Sequence, residues 1–161
     1  MIKRSFPPVV DARTRLLILG SLPGEASLAA QRYYAHPQNA FWRLLGGVLD
    51  TDLSTLDYAS RLHTLLAHKI GLWDVVAGAT RQGSLDGAIR DVEANDLLAL
   101  IASLPALRAV AFNGKTAARL GRRAMGTTAL TLIDLPSSSP AYTLAFAAKA
   151  AGWGTLAAFT D

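Results

Sequence analysis

The sequence of 161 residues contains no cysteine and few charged side chains. Without cysteine the chain cannot form disulfides, thiolate zinc sites, iron–sulfur clusters or a cysteine nucleophile. Charged residues make up 17% of the chain and hydrophobic residues 51%, a composition that argues against disorder and predicts a well-buried core. Any chemistry must come from oxygen and nitrogen groups, and we expect neither a metal nor a cofactor.

Signals for export and for membrane insertion are also missing. The first eight residues carry charge but no apolar stretch of signal-peptide length, and no later run approaches a membrane span. We therefore expect a cytoplasmic protein. The 16 Lys and Arg exceed the 12 acidic residues by four, which permits a polyanionic partner without requiring one.

Short apolar runs alternate with helical patterns along the chain. Four runs, at 16–19, 70–76, 107–112 and 129–135, are nearly continuous in apolarity, which is typical of strands buried on both faces of a parallel sheet. Helical spacing of Leu and Ala covers 40–49, 54–68, 94–104, 116–124 and 143–152. The alternation predicts a single α/β domain over residues 1–161, a three-layer α/β/α sandwich with a central four-stranded parallel sheet. The weakly patterned segment 80–95 is expected to be a surface loop with a short helix.

The loops that follow these strands should meet at one edge of the sheet and form a ligand crevice. That edge gathers the glycine-bounded turn 20–24, Asn113 and the serines 137–139, with His36, Asn39 and the rings of segment 33–42 nearby. The polar groups are uncharged, so they suit recognition of the edge and face of a nucleobase better than proton abstraction.

Familiar catalytic patterns fail in detail. The run Asn113-Gly114-Lys115-Thr116 resembles the end of a phosphate-binding loop, but Ala109 stands where that loop needs a glycine. The turn 20–24 lacks the third glycine of a dinucleotide fingerprint, and the three serines lack the flanking glycines of a nucleophile elbow. These absences exclude the corresponding nucleotide-binding and hydrolase motifs.

Four blocks carry a more specific pattern: Gly20-Ser-Leu-Pro-Gly24 with Tyr33-Tyr-Ala-His-Pro-Gln-Asn39-Ala-Phe41-Trp42, then Gly71-Leu-Trp-Asp74-Val75, Phe112-Asn113-Gly114 and Leu135-Pro-Ser-Ser-Ser-Pro140. In this order they resemble the uracil-DNA glycosylase superfamily, and within it the hypoxanthine-DNA glycosylase branch. The resemblance implies a base-excision repair enzyme that flips a deaminated base out of DNA and hydrolyses its N-glycosidic bond. Hypoxanthine is the favoured base, with uracil and xanthine as alternatives.

Leu22 stands where mismatch-type relatives carry a turn asparagine, and the resemblance to this branch instead implies the catalytic role for Asn39, the asparagine of the His-Pro-x-Asn segment. The amide of Asn39 could position water or hydrogen-bond the departing base, and from its spacing it could also cap a helix. Phe41 is expected to stack on the base, Asn113 to contact its polar edge, and the backbone N–H groups of 21–24 to hold it. The predicted substrate-binding set is Gly20, Ser21, Leu22, Pro23, Gly24, His36, Phe41, Asn113 and Ser137.

Some of these residues also suit structural roles. His36 either contacts the base or braces its loop through a backbone hydrogen bond. Asn113 could simply be a turn residue before Gly114. Asp74, at the end of a predicted strand, is either a structural anchor or helix cap, or a carboxylate in the crevice.

The loop 136–142 resembles the DNA-intercalation loop of the superfamily. This implies DNA contacts from Ser138, Ser139 and Tyr142, with Tyr142 as the wedge. Lys115, Arg119 and Arg122 fall on one helix face, where they would meet phosphates or form an ordinary solvated face.

We expect a monomer, associated with the nucleoid, that leaves an abasic site without cutting the strand, since no lysine is evidently placed as a Schiff-base nucleophile. The replacement at Leu22 keeps a rival open. In that rival the chain is a non-catalytic nucleic-acid or nucleotide-binding module of the same fold.

Overall fold

The computed structural model describes residues 2–81, 84–86 and 89–160, with the backbone alone at position 91. The strands are Ile2–Arg4 (β1), Leu16–Gly20 (β2), Ile70–Asp74 (β3), Val76–Thr80 (β4), Arg90–Ala94 (β5), Ala109–Asn113 (β6) and Thr131–Leu135 (β7). The α-helices are Glu25–Ala30 (α1), Phe41–Leu49 (α2), Tyr58–Ala67 (α3), Leu97–Ala102 (α4), Lys115–Met125 (α5) and Phe146–Trp153 (α6). Among the described residues, 3-10 segments also cover Leu53–Thr55 and Gly154–Phe159.

The core of the fold is a parallel sheet in the order β3-β2-β6-β7. Strand β2 lies inside it, with Leu16 opposite Ile70 on one neighbour and Ala109 on the other. All five residues of β2 are buried, which explains why its sequence is apolar without alternation. The predicted four-stranded parallel sheet is confirmed.

Helices cover both faces of this sheet. Leu16 and Ile18 belong to a cluster with α2, α3 and α6, whereas Leu17 and Leu19 point the opposite way into a cluster with α4 and α5. Burying each such side chain contributes about 1.5–3 kcal/mol relative to leaving it exposed. The two clusters make the predicted three-layer α/β/α sandwich and hold the ends of the strands in place.

A second sheet, antiparallel in the order β1-β4-β5, was not predicted. The predicted strand 70–76 divides at Val75, whose N–H donates to the Gly20 carbonyl at 2.8 Å, and the chain continues as β4. The expectation of a surface loop at 80–95 is wrong where β5 forms. Strand β5 escaped prediction because its one large apolar residue, Val92, is exposed. Residues 82–83 and 87–88 of that segment lie outside the described residues.

The helices differ from prediction at their ends. The predicted helix 54–68 begins with a 3-10 segment, and α3 starts only after Asp57, whose Oδ1 accepts from the Ser60 N–H at 2.8 Å. The predicted helix 94–104 is shorter, because β5 runs as far as Ala94 and α4 starts at Leu97. Helix α1, just after the turn 20–24, was not predicted.

Candidate active site

A cleft of about 890 Å³ opens where β2, β3, β6 and β7 end, so the predicted crevice is present. Its size is that of a small-molecule pocket. Most of the predicted site residues line it: Gly20, Ser21, Leu22, Pro23, Gly24, His36, Asn39, Asn113, Lys115, Ser137, Ser138, Ser139 and Tyr142. Phe41 and Arg119 are not part of the lining.

One side of the cleft is an uncharged, hydrogen-bonded structure formed by Asn39, Ala40, Asn113 and Ser138, here called the neutral wall. Asn113 donates through Nδ2 to Ser138 Oγ and accepts through Oδ1 from the Ser138 N–H, both at 2.9 Å. The Ala40 N–H donates to the Ser138 carbonyl at 3.0 Å. The wall thus joins the end of β6, the start of α2 and the loop 136–142.

These bonds change the roles expected of two residues. Ser138, predicted to contact DNA, is only 1% exposed and is used inside the wall, so that prediction is corrected. Asn113 does line the cleft, but both ends of its amide are engaged by Ser138. The contact of Asn113 with the edge of a base stays a prediction. In the structure its two hydrogen bonds to Ser138 hold the loop 136–142 in place.

Gly114 shows why the wall turns so tightly after β6. Its φ is +99°, a backbone conformation that residues other than glycine adopt only under strain. A β-carbon added there would lie 3.1 Å from Ser137 Cβ, so the close approach of the serine loop needs this glycine.

Asn39 lies half-buried at the mouth of the wall. Its Oδ1 accepts from the Phe41 N–H at 2.9 Å, so it does bond the first turn of α2 as its spacing suggested. Within the described residues its Nδ2 group makes no hydrogen bond. The amide therefore offers donor hydrogens to whatever occupies the cleft.

The stacking role expected of Phe41 is corrected. Phe41 is 0% exposed, and its ring lies parallel to that of Tyr34, with centroids 3.8 Å apart and an interplanar angle of 9°. Tyr34 lines the cleft and separates Phe41 from it. A base bound in the cleft would meet Tyr34, with Phe41 as the support behind that ring.

The opposite side of the cleft carries charge and is formed by Ser21, Asp74, Arg81 and Asp86, here called the acidic side. The guanidinium of the buried Arg81 donates to the carbonyls of Leu22 and Pro23, and so holds the turn after β2. Asp86 accepts from the Ser21 hydroxyl at 2.6 Å and lies 3.8 Å from Arg81. That the backbone N–H groups of residues 21–24 hold a base stays a prediction.

Asp74, at the end of β3, is 3% exposed and lines the cleft. Its Oδ2 has no hydrogen-bond partner among the described residues. Burial and the nearby Asp86 carboxylate raise the pKa of Asp74 to about 7, while Arg81 acts in the opposite direction. The cleft therefore contains a carboxyl group that changes protonation near neutral pH.

Beyond the neutral wall an exposed apolar loop borders the cleft. Tyr142 is 42% exposed, and Leu144 and Phe146 are exposed to a similar degree. Lys149 supports this loop from below, donating to the Ser139 carbonyl at 3.0 Å with its ammonium 5.4 Å from the Tyr142 ring centroid. The predicted wedge thus sits on the surface beside the pocket.

The remaining predicted residues are exposed at the surface. His36 is exposed, and its Nδ1 accepts from the Gln38 N–H at 3.0 Å, so it does brace its loop. Lys115 and Arg119 are exposed on α5, as is Arg122, which forms an ion pair with Asp134 at 3.0 Å. Arg122 is therefore the member of the trio already engaged within the protein.

No group of three His, Asp or Glu in the described ranges lies close enough to hold a metal ion. Across the same ranges, none of the helices combines the length and the apolar character needed to cross a bilayer.

Comparison with known proteins identifies the family. The family model described as the uracil DNA glycosylase superfamily matches residues 7–160. This chain belongs to that superfamily.

Relatives and a solved structure agree with the assignment. The chain is similar to a hypoxanthine DNA glycosylase of Methanosarcina barkeri, at 43% identity covering 95% of this chain and 96% of the relative. It is also similar to a hypoxanthine DNA glycosylase of Methanosarcina acetivorans, at 45% identity covering 88% and 89%. A solution NMR structure of a candidate uracil DNA glycosylase from Methanosarcina acetivorans matches with a TM-score of 0.86, at 41% identity covering 98% and 97%.

Two residues of this uracil DNA glycosylase cleft, Tyr34 and Asp74, were not predicted as site residues from the sequence. Tyr34 was counted only among the rings of its segment, and the choice of Phe41 as the stacking ring had no geometric basis. For Asp74 the sequence allows either a structural anchor or a crevice carboxylate. A charged residue at the end of an otherwise apolar strand is the signal, but only the structure shows that its Oδ2 bonds to no described residue.

Proposed function

We propose that this protein is a DNA glycosylase of base-excision repair that removes a deaminated base, hypoxanthine above all, from DNA. The observation that carries the proposal is the similarity to two proteins named hypoxanthine DNA glycosylase over at least 88% of this chain, a span that contains most or all of the cleft. The form of the cleft supports it, because a ring and uncharged amides beside an exposed apolar loop suit a flipped base.

The reaction is hydrolysis of the N-glycosidic bond. The bond between C1′ and the base nitrogen breaks with its electron pair passing to the base, and the oxygen of a water molecule bonds to C1′. One water proton is released and the base nitrogen takes up a proton, so the products are an abasic site and the free base. Because negative charge develops on the departing base, neutral donors in the cleft can stabilise the transition state without a strong base.

Asn39 is the catalytic residue of this proposal. Its Oδ1 accepts from the Phe41 N–H, which restrains the amide and leaves the Nδ2 donor of this cleft-lining residue available to a ligand. A fixed donor costs no reorganisation during the reaction. Nδ2 would hydrogen-bond the departing base or the attacking water.

DNA contacts in this proposal surround the cleft. Tyr142 would fill the gap left by the flipped nucleotide, because it is the exposed ring closest in sequence to the serine loop. Ser139 would contact the backbone beside it, and Lys115 and Arg119 would neutralise phosphates, which makes binding weaken with added salt. We further propose that the protein is a monomer and acts in the cytoplasm at the nucleoid. Light scattering tests the monomer, because its mass should equal the chain mass of 17.0 kDa.

The test uses duplexes that carry one hypoxanthine, and matched duplexes with adenine at that position. After incubation with the protein, alkali converts abasic sites to strand breaks. We expect breaks at hypoxanthine after alkali, and intact strands without it, because no lysine attacks C1′. Duplexes with uracil or xanthine rank the base preference. Binding to the hypoxanthine duplex without breaks on any deaminated base would favour the non-catalytic module and reject the glycosylase.

A further inference from the structure

Asp74 and Tyr34, here called the floor of the cleft, carry two polar atoms that hydrogen-bond to no described residue. Among the described residues three buried side-chain N or O atoms lack a hydrogen-bond partner, and two of them, Asp74 Oδ2 and the Tyr34 hydroxyl, belong to residues that line the cleft. The Asn113 amide approaches that hydroxyl without reaching hydrogen-bond geometry. Leaving such groups unpaired costs about 1–3 kcal/mol each, so both atoms point to a ligand that pairs them.

The two groups converge on one place, above Gly20. A β-carbon added to Gly20 would lie 2.7 Å from Asp74 Oδ1 and 3.0 Å from the Tyr34 hydroxyl oxygen. Any other residue at position 20 would push the carboxyl group away. The sequence has glycine at position 20 because a side chain there would collide with Asp74, not because the backbone needs a conformation special to glycine.

The surroundings of Asp74 favour its neutral form. The titratable and charged groups that act on it or that it acts on are Tyr33 and Tyr34 from the segment after α1, and Arg81 and Asp86 after β4. Arg81 donates to the turn carbonyls and pairs with Asp86, and Asp74 Oδ2 hydrogen-bonds to no described residue. Burial and the Asp86 charge together hold the pKa of Asp74 near 7.

Deamination gives the adjacent ring nitrogen of a base a hydrogen and replaces the exocyclic amino group by a carbonyl oxygen. The parent base presents a donor at that position and the deaminated base an acceptor. We propose that Asp74, as a neutral carboxylic acid, donates a hydrogen bond to this carbonyl oxygen and thereby selects and activates deaminated bases. This inference rests on the proposed function.

The same bond would also speed the reaction. As the glycosidic electron pair moves onto the base, the carbonyl oxygen gains negative charge and the hydrogen bond strengthens. An ionised Asp74 could only accept hydrogen bonds, from an amino group or a ring N–H, and would repel the negative charge that the carbonyl oxygen gains. Recognition of the carbonyl oxygen and the gain in rate therefore both require the proton on Asp74.

The test measures single-turnover excision of hypoxanthine from pH 5.5 to 9 in four proteins: wild type, Asp74→Asn, Asp74→Ala and the matched control Asp50→Asn, which removes an exposed carboxyl group at the end of α2. Wild type and control should lose rate above about pH 7, approaching tenfold per pH unit. Asp74→Asn keeps an N–H donor that does not titrate, so it should retain rate without this decline. Asp74→Ala should be about 10–100-fold slower at pH 6.

A variant at a different residue tests the proposal even if the Asp74 variants fail to fold. Asp86→Asn removes the neighbouring charge that raises the pKa of Asp74 and leaves the floor in place, so the decline should begin at lower pH. The proposal is overturned if Asp74→Asn keeps the wild-type decline, if Asp74→Ala matches wild type, or if the wild-type rate rises with pH and Asp74→Asn abolishes it.

Binding of free hypoxanthine, followed by calorimetry, separates this inference from the proposed function. If wild type cleaves nothing but binds hypoxanthine below pH 7, and Asp74→Ala loses that binding, the glycosylase proposal fails and the role of Asp74 stands. If wild type cleaves hypoxanthine duplexes and the Asp74 variants behave like it, the reverse holds. Absence of both cleavage and binding rejects both.

Discussion

The two sides of the cleft use polar groups in opposite ways. On the neutral wall, Ser138 bonds both ends of the Asn113 amide and also accepts from Ala40, so its polar atoms are largely satisfied within the protein. On the acidic side, Asp74 Oδ2 and the hydroxyl of the neighbouring Tyr34 find no hydrogen-bond partner in the part of the chain that the structure describes. Within the wall, therefore, Asn113 and Ser138 set the shape of the cleft, whereas the groups that await a ligand are Asn39 Nδ2 at the mouth of the wall and the unbonded oxygens of Asp74 and Tyr34.

The largest effect should come from the part of the neutral wall that faces the cleft. Asn39→Ala removes the Nδ2 donor, and we expect the single-turnover rate on hypoxanthine to fall about 10²–10³-fold, as for loss of one fixed transition-state donor. The substitution also removes the oxygen that bonds the Phe41 N–H, which could lower stability by about 1 kcal/mol.

Asn39→Ser separates the two effects. Serine retains a capping oxygen but has no amide donor, so it should keep the stability of wild type and lose rate nearly as far as Asn39→Ala. Wild-type rates in Asn39→Ser would mean that the Nδ2 donor takes no part in catalysis.

The next effect concerns stability on the acidic side. The pKa of Asp74 is raised from about 3.9 in an unfolded chain to about 7 in the folded protein. Its contribution to stability is therefore fully present below about pH 3.9 and is lost as the pH rises through about 7. At pH 8 the buried charge should cost the fold on the order of 2–4 kcal/mol.

Asp74→Asn removes that cost, so its free energy of unfolding should exceed that of wild type by this amount at pH 8. The gain should fall by more than half at pH 5, where wild-type Asp74 is protonated. Urea unfolding at the two pH values measures the difference. A gain independent of pH would show that Asp74 does not titrate in the folded protein, and would break the contrast between the two sides.

The fold was predictable where apolarity is continuous. Strands β2 and β6, predicted at 16–19 and 107–112, are almost continuously apolar because all their residues are buried, and the parallel sheet follows from the alternation of strands with helices. Strand β5 was not predictable in this way, because backbone pairing with β4 holds it rather than a buried side-chain stripe.

The location of the site could be predicted from the sequence, but many of the contacts within it could not. The order of the loops located the turn 20–24, Asn39, Asn113 and the serines around one cleft. Spacing could not show that the Tyr34 ring lies in front of Phe41, nor that Ser138 turns inward, because both depend on side-chain packing between elements distant in sequence.

The smallest effect tests the neutral wall as scaffold. Asn113→Ala leaves the Ser138 N–H and hydroxyl without their partner, so we expect the free energy of unfolding to fall by about 1–3 kcal/mol. Ser138→Ala loses only the bond to its hydroxyl and should cost less, and the double variant should cost less than the sum, since the two residues share that bond. Urea unfolding of the three variants measures this coupling. If Asn113→Ala instead leaves stability unchanged and slows excision of hypoxanthine, its amide reads the base, and the division between a scaffolding wall and a ligand-binding acidic side fails at that residue.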